Sequence, residues 1–165
     1  MPSEFTVDIT LDLSIPDLSD ASIPLTQIAE KIKSESQKRI RQQINIDGTR
    51  YRGLSRKTIQ DKIREGSAYP LRALFRKGVM YRAIHVYKAG KNEVHVGVIP
   101  RGKPSRDLVG IIHQEQGTPS KSGRIQRTFL GITKKTEKWA NERMERWIKG
   151  QLEKPPKEKI YLKIG

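Results

Sequence analysis

The chain has 165 residues, with 33 Lys plus Arg against 18 Asp plus Glu and a formal charge of +15. At 35% hydrophobic and 31% charged it is polar, yet it holds enough Ile, Leu and Val to bury one modest core, which excludes disorder throughout. The lack of cysteine excludes disulfide scaffolds, thiolate zinc sites, iron–sulfur clusters and cysteine nucleophiles. No apolar run approaches the roughly 20 residues of a membrane-spanning helix. Met1 to Leu13 lacks the basic segment of a secretory signal, so the expectation is a soluble protein of the cytoplasm or of an assembly built there.

The predicted elements begin with a strand. Phe5, Val7, Ile9, Leu11 and Leu13 alternate with Thr6, Asp8, Thr10 and Asp12, the period of a half-buried strand, which Pro16 ends. A long helix is predicted over about Pro24 to Ile44, with Ile28, Ile32, Ser36, Ile40 and Ile44 as a thin apolar stripe. Lys31, Lys33, Lys38, Arg39 and Arg41 fall on its solvated sides. Asp47-Gly48 is a turn by composition. Ser55 is placed to cap a short helix, Arg56 to Arg64, with Ile59 and Ile63 facing inward. A second short helix is predicted from Pro70 to Lys77, burying Leu71, Leu74 and Phe75 and ending at Gly78.

The middle of the chain reads as β. Ala83 to Tyr87 and Glu93 to Val98 form a hairpin across residues 88–92, with Val94, Val96 and Val98 on one face and His95 and Gly97 on the other. Residues 107–113 are either a strand or a short helix, and Gly117 to Gly123 reads as a loop. A closing helix, Thr133 to Leu152, is capped by Thr133 and buries Ala140, Met144, Trp147, Ile148 and Leu152. Ile160, Leu162 and Ile164 then alternate as a terminal edge strand that could pair with the N-terminal one, in the same chain or a neighbour. The expected fold class is α+β: an antiparallel sheet flanked by a long N-terminal helix and a C-terminal helix, with terminal strand extensions. The expected organisation is an acidic arm at 1–23, a domain at 24–152 and a basic extension at 153–165.

Charge is unevenly spread. Residues 1–30 carry six acids and no Lys or Arg, a net of −6, so the remainder carries +21. Such a split suits an acidic arm on a basic body, either the chain's own or that of an adjacent copy.

The motifs of catalysis are weak. His85 and His95 lie on neighbouring predicted strands without a third metal ligand in a suitable spacing. His113-Gln114-Glu115 contains H-x-E, but the cysteines of a zinc deaminase are missing. Gly97 to Pro104 approaches a phosphate-binding loop and fails at Pro104, which replaces the magnesium-binding hydroxyl. No paired carboxylates or Ser–His–acid set stands out. The expectation is a non-enzyme with no metal and no cofactor.

Basic clusters are the clearest physical signal. Arg50, Arg52, Arg56 and Lys57 surround Tyr51; Arg101, Lys103 and Arg106 share one loop; Lys121, Arg124 and Arg127 share another. They suit either passing DNA or an acidic partner protein. Few aromatic residues interleave with them, which argues against a base-stacking single-strand binder.

The order of segments resembles the phage virion morphogenesis family, the tail-completion or neck proteins of tailed bacteriophages. The resemblance runs over about residues 25–150. It rests on Asp47-Gly48, Tyr51, Leu54-Ser55 and Thr58; on Leu74 leading to Gly78 and Met80; on His113-Gln114 before Gly117; and on Arg127, Phe129, Leu130 and Gly131 as R-x-F-L-G before the closing helix. Tyr51 stands where tryptophan is usual and Thr128 where proline is usual. The resemblance implies a structural, non-enzymatic phage component at the head–tail junction or tail end, made in the host cytoplasm. It implies a homo-oligomeric ring, six-fold as in similar neck proteins, with connector, tail-terminator or tube proteins as neighbours, and no membrane. Tyr51, Leu54, Gly78, His113, Gln114, Gly117, Arg127, Phe129, Leu130 and Gly131 carry over as fold and interface determinants. Phe129 and Leu130 are expected in the core, Gly131 in a turn, His113 in a structural hydrogen bond, and Arg127 on an acid or a C-terminal carbonyl. The alternative is a basic nucleic-acid-binding protein. A metal-free basic nuclease is a third reading.

Overall fold

The computed structural model describes residues 6–10, 21–75, 79–88, 90–98, 113–114, 117–120 and 123–153. The expected terminal strand at 160–164, Gly78, Arg101, Lys103, Arg106, Lys121 and the undecided stretch at 107–112 lie outside the described residues.

The elements are β1 (Thr6–Thr10), α1 (Ser22–Gln42), α2 (Arg56–Arg64), α3 (Val79–Ala83), β2 (Ile84–Lys88), β3 (Glu93–Val98), β4 (Thr118–Ser120), β5 (Gly123–Ile125) and α4 (Lys134–Leu152). The fold is α+β. An antiparallel sheet has the order β1-β3-β2, and β4 and β5 form a separate hairpin. β1 finds its partner within the chain: Val7 lies opposite Val96 and Ile9 opposite Val94. On the other side of β3, Ile84 pairs with Val98 and Val86 with Val96. Period-two alternation thus sends Ile84, Val94, Val96 and Val98 into the core and leaves His85, Tyr87 and His95 on the opposite face. There Tyr87 and His95 stack at 5.1 Å.

α1 packs on β2 and β3 and also against α4. Its stripe of Leu25, Ile28, Ile32, Ser36 and Ile40 is buried, joined by Ala29. The helix ends two residues before Ile44 because Gln43 turns left-handed, with φ +59°. Gln43 then clips a distant loop to the helix end. Its Oε1 accepts from the Ala73 amide at 2.6 Å, and its Nε2 donates to the Ala73 carbonyl at 2.9 Å. That clip overturns the expected helix at 70–77. The Ala73 backbone groups that a helix would use are spent on Gln43, residues 70–75 form turns, and Leu74 has φ +57°. Leu71, expected inside, is 71% exposed. Leu74 and Phe75 do pack against the core, and helix forms only afterwards, in α3.

α2 is capped as expected, with Ser55 Oγ accepting from the Thr58 amide at 3.2 Å. Of the two residues expected inside, Ile59 is half-buried but Ile63 is not. Ile63 is 59% exposed and Lys62 is buried. The Lys62 ammonium donates to the carbonyls of Tyr69 and Arg72 and so pins the next loop. The expected loop at 117–123 instead contains β4 and the start of β5, paired as a hairpin, and Gly123 opens β5 with φ +104°. In α4, Thr133 caps by accepting from the Thr136 amide at 3.2 Å. Trp139, Ala140, Met144 and Trp147 pack on the core, whereas Leu152 lies past its edge and is 68% exposed.

Candidate functional site

Between β5 and α4 the chain crosses the core without regular structure, and this crossing holds the R-x-F-L-G residues. A buried irregular segment must satisfy its backbone groups with something other than a helix or a ladder. Here side chains supply most of the partners. Gln114 Oε1 accepts from the amides of Phe129 and Leu130 at 2.9 and 3.1 Å, while its Nε2 donates to the Leu130 carbonyl at 2.9 Å. Arg39 donates to the carbonyls of Phe129 and Gly131 at 3.0 and 3.1 Å. Asn45 Oδ1 accepts from the Thr128 amide at 2.9 Å. The Arg127 amide donates to the His113 carbonyl at 2.8 Å.

Held this way, Phe129 and Leu130 drop into the core with almost no exposure. Gly131 follows at φ +146°, where a Cβ would collide with Ile46 Cδ1. The backbone angle favours glycine, and a larger residue would also have to push the end of Ile46 aside. Gly117, at φ +68°, is confined by backbone instead, since a Cβ would sit 3.0 Å from the Ile125 carbonyl carbon.

Two buried guanidiniums flank the segment. Arg39 reaches Glu35 at 3.5 Å. Burial lowers its pKa, against the raising influence of Glu35 and Tyr51. Arg127 donates to the Arg52 carbonyl at 2.9 Å and lies 3.3 Å from His113 Nδ1. Nδ1 facing an obligate donor must accept, which makes His113 a neutral imidazole with its proton on Nε2. Burial, and secondarily the Arg127 charge, push its pKa down to about 4. Tyr51 completes the group. Burial raises its pKa, against the lowering influence of both arginines, and its hydroxyl has no partner among the described residues.

The structure therefore brings Tyr51, His113, Gln114, Gly117, Arg127, Phe129, Leu130 and Gly131 into one neighbourhood. Leu54 is half-buried against the same core. Arg127 takes neither an acid nor a C-terminal carbonyl but the loop carbonyl of Arg52, ahead of α2. Arg50, Arg52, Arg56 and Lys57 are all exposed beside it, as is Arg124, which also donates to the Gly117 carbonyl at 3.4 Å. An open cleft of about 550 Å³ runs along this basic stretch, between Arg50 to Gly53 and the Leu71–Ala73 turn.

Sequence reasoning missed Arg39, Asn45, Gln43 and Lys62. The sequence pattern puts Arg39 on the solvated side of its helix, yet it is buried. Its position three residues after buried Ser36 and next to Ile40 is the signal that could have found it, since i and i+3 share a face.

Among the described residues, no three metal-ligating side chains cluster, and no helix is long and apolar enough to cross a membrane. The polar interior is spent on holding backbone, and the charged groups outside it are spread over an open surface. This is an α+β domain whose buried polar side chains hold an irregular backbone segment in place. The chain matches the model of the phage virion morphogenesis family over residues 6–149, and it belongs to that family. No curated protein and no solved structure matches it. Family membership makes it a structural, assembly component associated with the bacteriophage virion.

Proposed function

We propose that this protein completes the tail or joins it to the head, as a ring of identical copies at the head–tail junction. The observation that carries the reading is the family match across almost the whole fold, with its R-x-F-L-G and H-Q residues spent on one clamped crossing. A rigid crossing fixes how α4 and the β4–β5 hairpin sit on the domain, which a ring subunit needs for repeated, identical contacts. The ring would hold six copies, the number that the resemblance to neck proteins implies. The neighbours would be connector, tail-terminator or tube proteins, and the basic surface would face one of them or the DNA that passes through.

The test is negative-stain microscopy of a lysate from a phage lacking this gene. Full heads beside unattached or irregular tails are the expected outcome. Normal infectious particles would overturn the reading.

The exposed run Arg50, Arg52, Arg56 and Lys57 favours nucleic-acid binding as the second reading. Its mark would be tight, steeply salt-dependent binding of duplex DNA by the isolated monomer.

A further inference from the structure

The aromatic residues that look scattered in the sequence converge at one end of α1. Tyr69 and Phe75 meet edge to face at 5.0 Å, and Phe75 and Tyr81 lie 6.1 Å apart. Arg72 sits over Tyr69 at 4.8 Å, and Arg41 sits over Tyr81 at 4.5 Å. Tyr69 is 45% exposed. With Gly66 to Ala68 the three rings line an open cleft of about 460 Å³. Aromatic anchors among arginines are the composition of a protein–protein hot spot.

Such a cleft fits an acidic segment carrying apolar side chains, and this chain contains one. Residues 11–20 read Leu-Asp-Leu-Ser-Ile-Pro-Asp-Leu-Ser-Asp, with four aliphatic residues, one proline, three acids and no Lys or Arg. The segment cannot reach the cleft of its own chain. Its two ends are held together at the β2–β3 turn, because Thr10 pairs with Glu93 and the Ala21 amide donates to Asn92 Oδ1. Ten residues held at both ends can reach no more than about 17 Å from those ends, whatever their conformation. Arg41 lies twenty residues along α1 from Ala21, about 30 Å away at the helical rise.

We propose that residues 11–20 of one copy dock in the Tyr69–Phe75–Tyr81 cleft of the next. The acids meet Arg41, Arg72 and Arg82, and the aliphatic residues meet the rings. Donor and acceptor lie at opposite ends of α1, so the contact is head to tail and closes a ring when the rotation permits. The inference rests on the ring reading and names its contact. Single-stranded nucleic acid fits less well, because guanidiniums already cover faces of Tyr69 and Tyr81.

The chain has no cysteine, so cross-linking can be addressed to chosen positions. The full-length variant carrying Asp17→Cys and Ala68→Cys, treated with a short bis-maleimide, should give a ladder of covalent oligomers. Copies with Asp17→Cys alone, mixed with copies carrying Ala68→Cys alone, should stop at dimers. Arg72→Glu should weaken association measured by light scattering about tenfold, the equivalent of about 1.4 kcal/mol, and Asp17→Lys should restore it. Oligomers that form without cross-linking would overturn this contact and leave the ring reading standing. A cross-link confined to monomers would also overturn it, and a chain that stays monomeric would overturn both. Arg72→Glu that spares association but abolishes oligothymidylate binding would give the cleft to nucleic acid instead.

Discussion

Two glutamines do the same work in two regions, with different consequences. Gln114 holds the amides and a carbonyl of Phe129 and Leu130, and the segment it clamps is almost fully buried. Gln43 holds the amide and carbonyl of Ala73, and the turn it clamps leaves Leu71 and Tyr69 at the surface. In both places a side-chain amide imitates one rung of a β-ladder and frees the chain from forming a helix. The first clamp seals the core. The second holds apolar and aromatic side chains out where a partner can meet them. The Ala73 backbone is thus held in the core while its neighbours Leu71 and Tyr69 stay at the surface.

The comparison is sharpest where the inner clamp is broken. Gln114→Ala strands two amides and a carbonyl in the interior, where each unpaired group costs about 1–3 kcal/mol. A loss of about 3 kcal/mol or more in chemical denaturation is expected, and a loss below 1 kcal/mol would show that the crossing is held by other means.

Acid should reach the same region through His113. Its folded pKa of about 4 lies below the ordinary value of 6.5, so the unfolded chain binds the proton more readily. The stability contributed by the neutral ring is full above about pH 6.5 and is lost as pH falls towards 4. The expected loss is about 2–3 kcal/mol. A His113→Asn variant should show a shallower fall over that range, and parallel profiles would remove His113 as the cause.

At the outer turn, Lys62→Met keeps the buried stem and removes two bonds to carbonyls that water can partly replace. The expected cost is about 1–2 kcal/mol, with a marked rise in proteolytic cutting near residues 69–72. The smallest effect is expected at Tyr51→Phe. The hydroxyl is buried without a partner among the described residues, so its removal should change stability by less than about 0.5 kcal/mol or raise it slightly. A loss above 1 kcal/mol would reveal a bound water bridging that hydroxyl to the arginines.

Much of the fold was legible because it rests on local rules. Period-two alternation placed the strands β1 and β3, the i, i+4 spacing placed α1, and Ser55 and Thr133 announced α2 and α4 by their capping chemistry. The expected site was legible only as a string of residues. Nothing near Gln114 in the sequence says that it will hold residues 129 and 130, and Arg39 has the composition of a solvated helix face. Local patterning failed where a distant side chain took over the backbone, as Gln43 did at Ala73 and Lys62 at Tyr69 and Arg72.

By itself the sequence determined the fold class, most helix boundaries, the −6 and +21 division of charge and the family. Those follow from periodicity, caps and order along the chain, all of which act over a few residues. Only the tertiary structure decided that β1 pairs within its own chain, that arginine and lysine go inside while Ile63 and Leu71 stay out, and that three separated aromatic residues share one cleft. Each depends on hydrogen-bond partners and ring contacts brought together by chain crossings, whose energies exceed the local preferences they override.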